Sequence, residues 1–402
     1  MKRASRVHPA DLLGFGRLAA DGTVRLTDLV EAMHHAITGA PGMPCATMQG
    51  NTSGITGLVY DSVRATAGLL GSGMDAILTP LIRPPGERRS TRKREAMLAA
   101  LNGVLGDYLA ATHNPLAIVI RLRRKGRPLT LEMPLLAAAI PHPARKLVVL
   151  VHGLCMNDRQ WTRKRHNHGT ALARDLGYTE IHLHYNSGLH VSTNGRAFAN
   201  LMEDLLDQWP APVEELAIVA HSLGGLVSRS AYHYGTEAGH RWPRRLGRLV
   251  FLGTPHHGAP LERAGNWVDI VLQQNPLTSP LARLGKIRSA GITDLRYGNL
   301  LDEDWEGRDR FAHSGDQRRP VPLPNDVRCY AVAATTGRET AGLRHGLPGD
   351  GIVPVDSALG RHPEAVRSLS FDKSQEWIGY GMNHWDLLSR PAVYQQIARW
   401  LA

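Results

Sequence analysis

The chain has 402 residues, a formal net charge of +11 and three cysteines, Cys45, Cys155 and Cys329. Its 43 % hydrophobic and 21 % charged residues exclude a disordered chain, and no run of about 18 apolar residues offers a membrane-spanning helix. The odd cysteine count without C-x-x-C spacing argues against a disulfide framework, and the basic N-terminus MKRASRVHPADLLGFGRL lacks the apolar core of a secretory signal, so a cytoplasmic protein is expected.

Residues 1–115 read as a helical extension. Asp28–Ile37 carries Leu29, Val30, Met33 and Ile37 at helical spacing, with Thr27 as N-cap and Gly39 as terminator. Thr56–Leu78 is apolar-rich but interrupted by Gly68, Gly71 and Gly73. Its Leu58, Val59, Val63 and Leu69–Leu70 are expected to pack inside the protein; meeting a lipid surface is the alternative. Pro80–Arg94 reads as an exposed loop before a third helix, Glu95–Ala110. Positive charge is densest in ERRSTRKRE (Glu87–Glu95) and RLRRKGR (Arg121–Arg127). Neither run interleaves aromatics, so nucleic acid is not expected as a partner. A solvated basic face is the default, with peripheral contact to an anionic membrane as the alternative.

After residue 115 the pattern changes. Leu116–Arg124, a Lys-Gly-Arg-Pro turn and Leu129–Met133 predict a β-hairpin. Leu147–Leu154 is a continuous apolar run, as expected of a buried parallel strand. Helical Ala171–Gly177 leads to strand Ile181–Asn186, and helical Asn194–Trp209 to strand Leu216–Ser222. A further helix leads to strand Arg248–Pro255, and Val327–Thr335 and Arg367–Phe371 follow as later strands. The alternation predicts an α/β fold over residues 116–402, a mostly parallel sheet flanked by helices with an antiparallel hairpin at the front edge. Residues 256–326 interrupt it and read as a cap or lid insertion above the strand ends, with apolar Trp267, Val268, Ile270, Val271 and Leu272.

The chemistry-bearing residues fall at the carboxyl ends of these strands, where open parallel sheets collect ligands. In LAIVAHSLGG the strand runs into a sharp turn with Ser222 at its apex, and small residues at 220, 224 and 225 let strand and helix approach. The G-x-S-x-G pattern is met except that Ala220 replaces the first glycine. A serine needs a base, and the base an orienting acid. Asp350, in PGDGIVPVD after one later strand, and His384, in GYGMNHWDLL after another, supply both in the order serine, acid, histidine. Asp356 is the rival acid. The backbone N–H groups of Leu223 and of Leu154, in VHGL, are the candidate oxyanion donors.

These motifs, VHGL, AHSLGG, FLGTPHHG, GDGIVP and NHWDLL, resemble the α/β-hydrolase superfamily and, within it, the bacterial lipase and lipase-like esterase group. The resemblance covers roughly residues 115–402. It implies Ser222 as nucleophile, Asp350 as acid, His384 as base, and Leu154 and Leu223 as oxyanion donors, with alanine tolerated at position 220. His152, Gly153, His221 and His256 are expected to line the pocket, His152 and His256 by hydrogen bonding rather than proton transfer, with His221 pointing away from the Ser222 hydroxyl. The His166/His168 and His182/His184 pairs are expected to pack rather than bind zinc. Asp386 matches a calcium ligand of some lipases, but no second carboxylate is identifiable, so neither metal nor cofactor is expected.

The resulting expectation is a serine hydrolase acting on a lipid or other hydrophobic carboxylic ester. The alternatives are an acyltransferase or a phospholipid or inositol deacylase using the same triad, and a membrane- or granule-associated protein acting through its N-terminal helices.

Overall fold

The computed structural model describes residues 8–38, 55–78, 90–259, 288–311, 315–338 and 349–402. The chain divides into two compact units, one of residues 1–89 with 111–116, the other of residues 90–110 with 117–402. Cys45, the apolar residues expected of the cap (Trp267 to Leu272) and most of the insertion lie outside the described residues.

In the first unit, helices α1 (Pro9–Thr38) and α2 (Ile55–Leu78) pack against each other. Arg64 pairs with Asp28 at 2.8 Å, and Asn114 donates to the Gly14 carbonyl at 3.1 Å. α1 begins nineteen residues before the helix expected from Asp28. Thr27 is therefore no N-cap: its hydroxyl donates to the Thr23 carbonyl one turn back. Glycine does not break α2, but the packing expected of its apolar residues is absent at Leu58 and Leu69, which are 72 % and 74 % exposed.

The second unit opens with α3 (Arg92–Ala111), which the sequence pattern grouped with the extension. Then come β1 (Arg121–Arg124), β2 (Arg127–Pro128), α4 (Met133–Ala139), β3 (Lys146–Val151), α5 (His168–Leu176), β4 (Tyr178–His184), α6 (Val191–Gln208), β5 (Glu215–His221), α7 (Leu223–Glu237), β6 (Leu246–Leu252), β7 (Arg328–Thr335) and β8 (Glu376–Tyr380). A helix over Pro391–Leu401 closes the chain. The strands form one sheet in the order β2-β1-β4-β3-β5-β6-β7-β8. β1 runs antiparallel to β2 and β4, and every pairing from β4 to β8 is parallel. This architecture, with the first strands antiparallel and β5 central, is the α/β-hydrolase fold.

Strand period two explains the unbroken apolar runs. Leu147, Val149 and Val151 of β3 enter one core with Ile218, Ala220 and Phe251, under Phe198 and Met202 of α6 and Leu226 and Val227 of α7. Val148 and Leu150 enter the other, with Val219, Val250, Leu172 of α5 and Ile397 of the last helix. Each such buried side chain contributes about 1.5–3 kcal/mol.

Two expected strands differ. The hairpin turns at Lys125 and Gly126, both at positive φ, its second strand is only two residues long, and the expected strand end at Met133 instead begins α4, with Pro134 in its first turn. Arg367–Phe371 is not a strand despite its alternation; Leu369 makes a single backbone bond to Gly360, and Phe371 turns onto Phe251. The last strand is β8, EWIGY, whose aromatic and β-branched residues follow a capped turn at Asp372–Gln375.

Candidate active site

β5 ends at His221 and α7 begins at Leu223, so Ser222 alone makes the reversal. Its backbone sits at φ 55° and ψ −126°, a conformation that costs a non-glycine residue about 1–3 kcal/mol. The turn is held from both sides: the Ser222 N–H donates to the Leu252 carbonyl, and the Ser222 carbonyl accepts from Gly225, each at 2.9 Å. The crossing admits no side chain at Gly224, where a Cβ would stand 2.5 Å from the Val151 carbonyl oxygen and 2.6 Å from that of His152. Ala220 sits instead between Val151 and Phe251 in the sheet, fully buried, and its methyl is part of the core. The strand therefore accommodates a methyl where G-x-S-x-G has a glycine.

The loop after β3 passes directly beside the serine. A Cβ at Gly153 would lie 3.0 Å from the Ser222 Cβ. Both candidate oxyanion donors are buried and idle: among the described residues, neither the Leu154 N–H nor the Leu223 N–H reaches a protein acceptor. At the start of α7 such a donor also carries the positive end of the helix dipole.

His384 lies over the end of β6, its Nδ1 3.1 Å from where a Gly253 Cβ would be. The same Nδ1 donates to Asp350 Oδ2 at 2.6 Å, which fixes the ring and turns Nε2 away from the carboxylate. Asp350 Oδ1 accepts the N–H groups of Ile352 and Val353 at 2.9 and 2.8 Å, and the His384 N–H donates to the Asp350 carbonyl. The rival Asp356 pairs with Arg361 instead. Ser222, Asp350 and His384 are each only 2 % exposed. No hydrogen bond joins Ser222 Oγ to His384 Nε2, a contact that commonly tightens only around substrate.

The other histidines hold the frame. His152 donates from Nδ1 to the Gly153 carbonyl and stacks on Tyr185, whose hydroxyl bonds back to the His152 carbonyl. Burial pushes its pKa down to about 3, so it stays neutral. His221 Nε2 donates to the His384 carbonyl at 3.3 Å, and the two rings lie 4.6 Å apart. His256 lines a separate cleft with Arg229 and Arg318 that includes none of Ser222, Asp350 or His384.

Metal-like clusters resolve into packing. His166 bonds His168, which bonds the Leu387 carbonyl. Asp386 meets Lys164 and Arg390. Glu95, Asp158 and His184 do converge, but Arg123 bonds both carboxylates, at 2.8 and 3.1 Å, and occupies the cation's place. With Arg124 facing Glu180, part of the basic run at Arg121–Arg127 is neutralised internally rather than presented to a partner.

One support of the site was missed in the sequence. In α3 the small residues Ala99, Ala100, Gly103 and Gly106 let the helix approach the oxyanion loop: a Cβ at Gly103 would strike Cys155, and one at Gly106 Asn186. The Cys155 N–H donates to Ser187 Oγ, which fixes the loop from the other side. The three-to-four-residue spacing of small residues was the available signal.

Several comparisons bear on this chain. A family model described as a domain of unknown function (DUF7379) matches residues 132–295. None of the curated proteins matches the sequence. Among solved structures, the chain is similar to the mature form of lipase BlEst2 from Bacillus licheniformis, at 18 % identity over 65 % of this chain and 94 % of that one, with a TM-score of 0.42. It is also similar to esterase Pf2001 from Pyrococcus furiosus, at 12 % identity over 64 % of this chain and 80 % of that one, with a TM-score of 0.36. Phospholipase PlaB from Legionella pneumophila is matched at 18 % identity over 53 % of this chain, less than half (45 %) of that one, with a TM-score of 0.35.

Proposed function

We propose that the chain is a serine hydrolase that cleaves a hydrophobic carboxylic ester through an acyl-enzyme. The observation that carries this reading is the short Asp350–His384 bond at the strand ends, beside a serine held at φ 55° and two buried N–H groups without acceptors. His384 Nε2 takes the proton of Ser222 Oγ as the oxygen attacks the acyl carbon. The developing oxyanion is received by the N–H groups of Leu154 and Leu223. His384 then returns the proton to the departing alcohol, and water repeats the sequence on the acyl-enzyme. Asp350, which accepts two backbone N–H groups and the imidazole, stabilises the imidazolium that forms. No step calls for a metal or cofactor.

The test is turnover of p-nitrophenyl esters of increasing chain length by the purified full chain and by Ser222→Ala. The expected result is loss of about 10⁵-fold or more in kcat with an unchanged circular dichroism spectrum. Wild-type turnover in that variant overturns the reading. A preference for long acyl chains supports a lipid substrate; a preference for acetate or butyrate limits the site to small esters.

A further inference from the structure

We infer that the cleft lined by Arg229, Arg318, Arg319 and Arg367 binds a small phosphate-class oxyanion, with Arg229 as its buried anchor. The inference does not rest on the ester-hydrolase reading.

Arg229 projects from α7, and only 5 % of its surface is exposed. Its Nη1 reaches His256 Nδ1 at 3.3 Å and its Nη2 the Val321 carbonyl, while its Nε has no partner. No carboxylate of the described residues pairs with it. The acidic group that does interact is the Cys329 thiol, which burial pushes up to about 12 and so keeps neutral. Burial and the neighbouring Arg318 together pull the guanidinium down to about 9, the signature of a cation without a counter-ion. A buried charge in that state is strongly unfavourable, and natural proteins pair it or present it to a ligand.

The surroundings add positive charge. Arg318, 8 % exposed, donates to the carbonyls of His256 and Gly298 and to His257 Nδ1. Asp316 answers both Arg318 and Arg367, and Arg367 also pairs with the exposed Glu364 at 2.9 Å. Arg319 reaches only the exposed Glu303, at 3.7 Å. His256 Nε2 is a second buried atom with no partner. The cleft has no carboxylate in its lining. Such a lining suits a group with several acceptor oxygens, which arginine forks bind best.

The occupant is either free phosphate or the phosphate of a larger phosphoester, and one experiment separates them. The full chain is titrated calorimetrically with sodium phosphate against sodium chloride at matched ionic strength, then with a monomeric short-chain phospholipid in the presence of phosphate. Saturable one-to-one binding of phosphate is expected, equal in Ser222→Ala, about tenfold weaker in Arg229→Met and a few-fold weaker in Arg319→Ala. Displacement of phosphate by the phospholipid identifies a headgroup site; no displacement identifies a free-anion site. If Arg229→Met fails to fold, Arg319→Ala, altered only at an exposed head, decides. Absence of saturable binding of either ligand, or wild-type affinity in the folded variants, overturns the inference.

Discussion

Among the described residues of the second unit, two Asp–His pairs are hydrogen-bonded, and they are built differently. In Asp350–His384 a single side-chain bond of 2.6 Å joins the partners, the spare carboxylate oxygen is satisfied by two backbone N–H groups, and the Nδ1–Cε1 edge of the ring borders Gly253 at the strand ends. In Asp294–His190 the imidazole is shared between both oxygens at 3.1 Å, the same carboxylate also serves the Val191 N–H and Asn299, and the ring lies flat on Trp305 at 3.7 Å. The second pair ties the start of α6 to the short helix Ala290–Asp294. An Asp–His contact is therefore not a catalytic signature by itself. What matters is the group that the other ring nitrogen can serve.

Exchanging the two acids gives the largest contrast. Asp350→Asn should lower kcat by about 10³–10⁴, because the amide no longer holds the imidazole in the tautomer that leaves Nε2 free. Asp294→Asn should leave kcat within about threefold and cost about 1–3 kcal/mol of stability, read by urea denaturation. Comparable kcat losses in both would erase the distinction.

The elbow sharpens it next. Gly224→Ala forces a methyl onto two carbonyl oxygens of the β3 end and should cost about 1–3 kcal/mol and about tenfold in kcat. Ala220→Gly, which removes a methyl already accommodated, should change kcat less than threefold.

Acid stability is a smaller and more distributed effect. Burial, the leading cause in each case, depresses His152 to about 3 and His168, His182 and His257 to about 4. The unfolded chain takes up these protons near pH 6.5, so it binds more protons than the folded chain below that pH. The stabilisation is complete above about pH 6.5 and is lost as pH falls toward 4. A melting temperature that drops steadily from pH 7 to pH 5 is expected; one that rises would contradict the neutral packing of these rings.

The smallest effect isolates strain. Ser222→Gly should be inactive yet about 1 kcal/mol more stable than the equally inactive Ser222→Ala, since only glycine accepts φ 55° without strain. Equal melting temperatures would mean that the turn stores little.

Much of this was legible in the chain. Apolar runs of strand length, alternating with helical periodicity, fix the parallel sheet, because each strand must bury both faces. The order of Ser222, Asp350 and His384 after β5, β7 and β8 marks the candidate site, because parallel strands deliver their carboxyl ends to one edge. Local pattern misled at Arg367–Phe371, where alternation exists without a neighbouring strand to pair with, and EWIGY took the edge of β7 instead. It also left Asp350 and Asp356 in competition, a choice made by which carboxylate reaches the imidazole. Tertiary structure alone attached α3 to the oxyanion loop and neutralised part of the basic run at Arg121–Arg127 with Glu95, Asp158 and Glu180. It also left Arg229 buried without a carboxylate among the described residues. Spacing along the chain sets which face a residue occupies; which charge meets which depends on elements brought together from distant parts of the sequence.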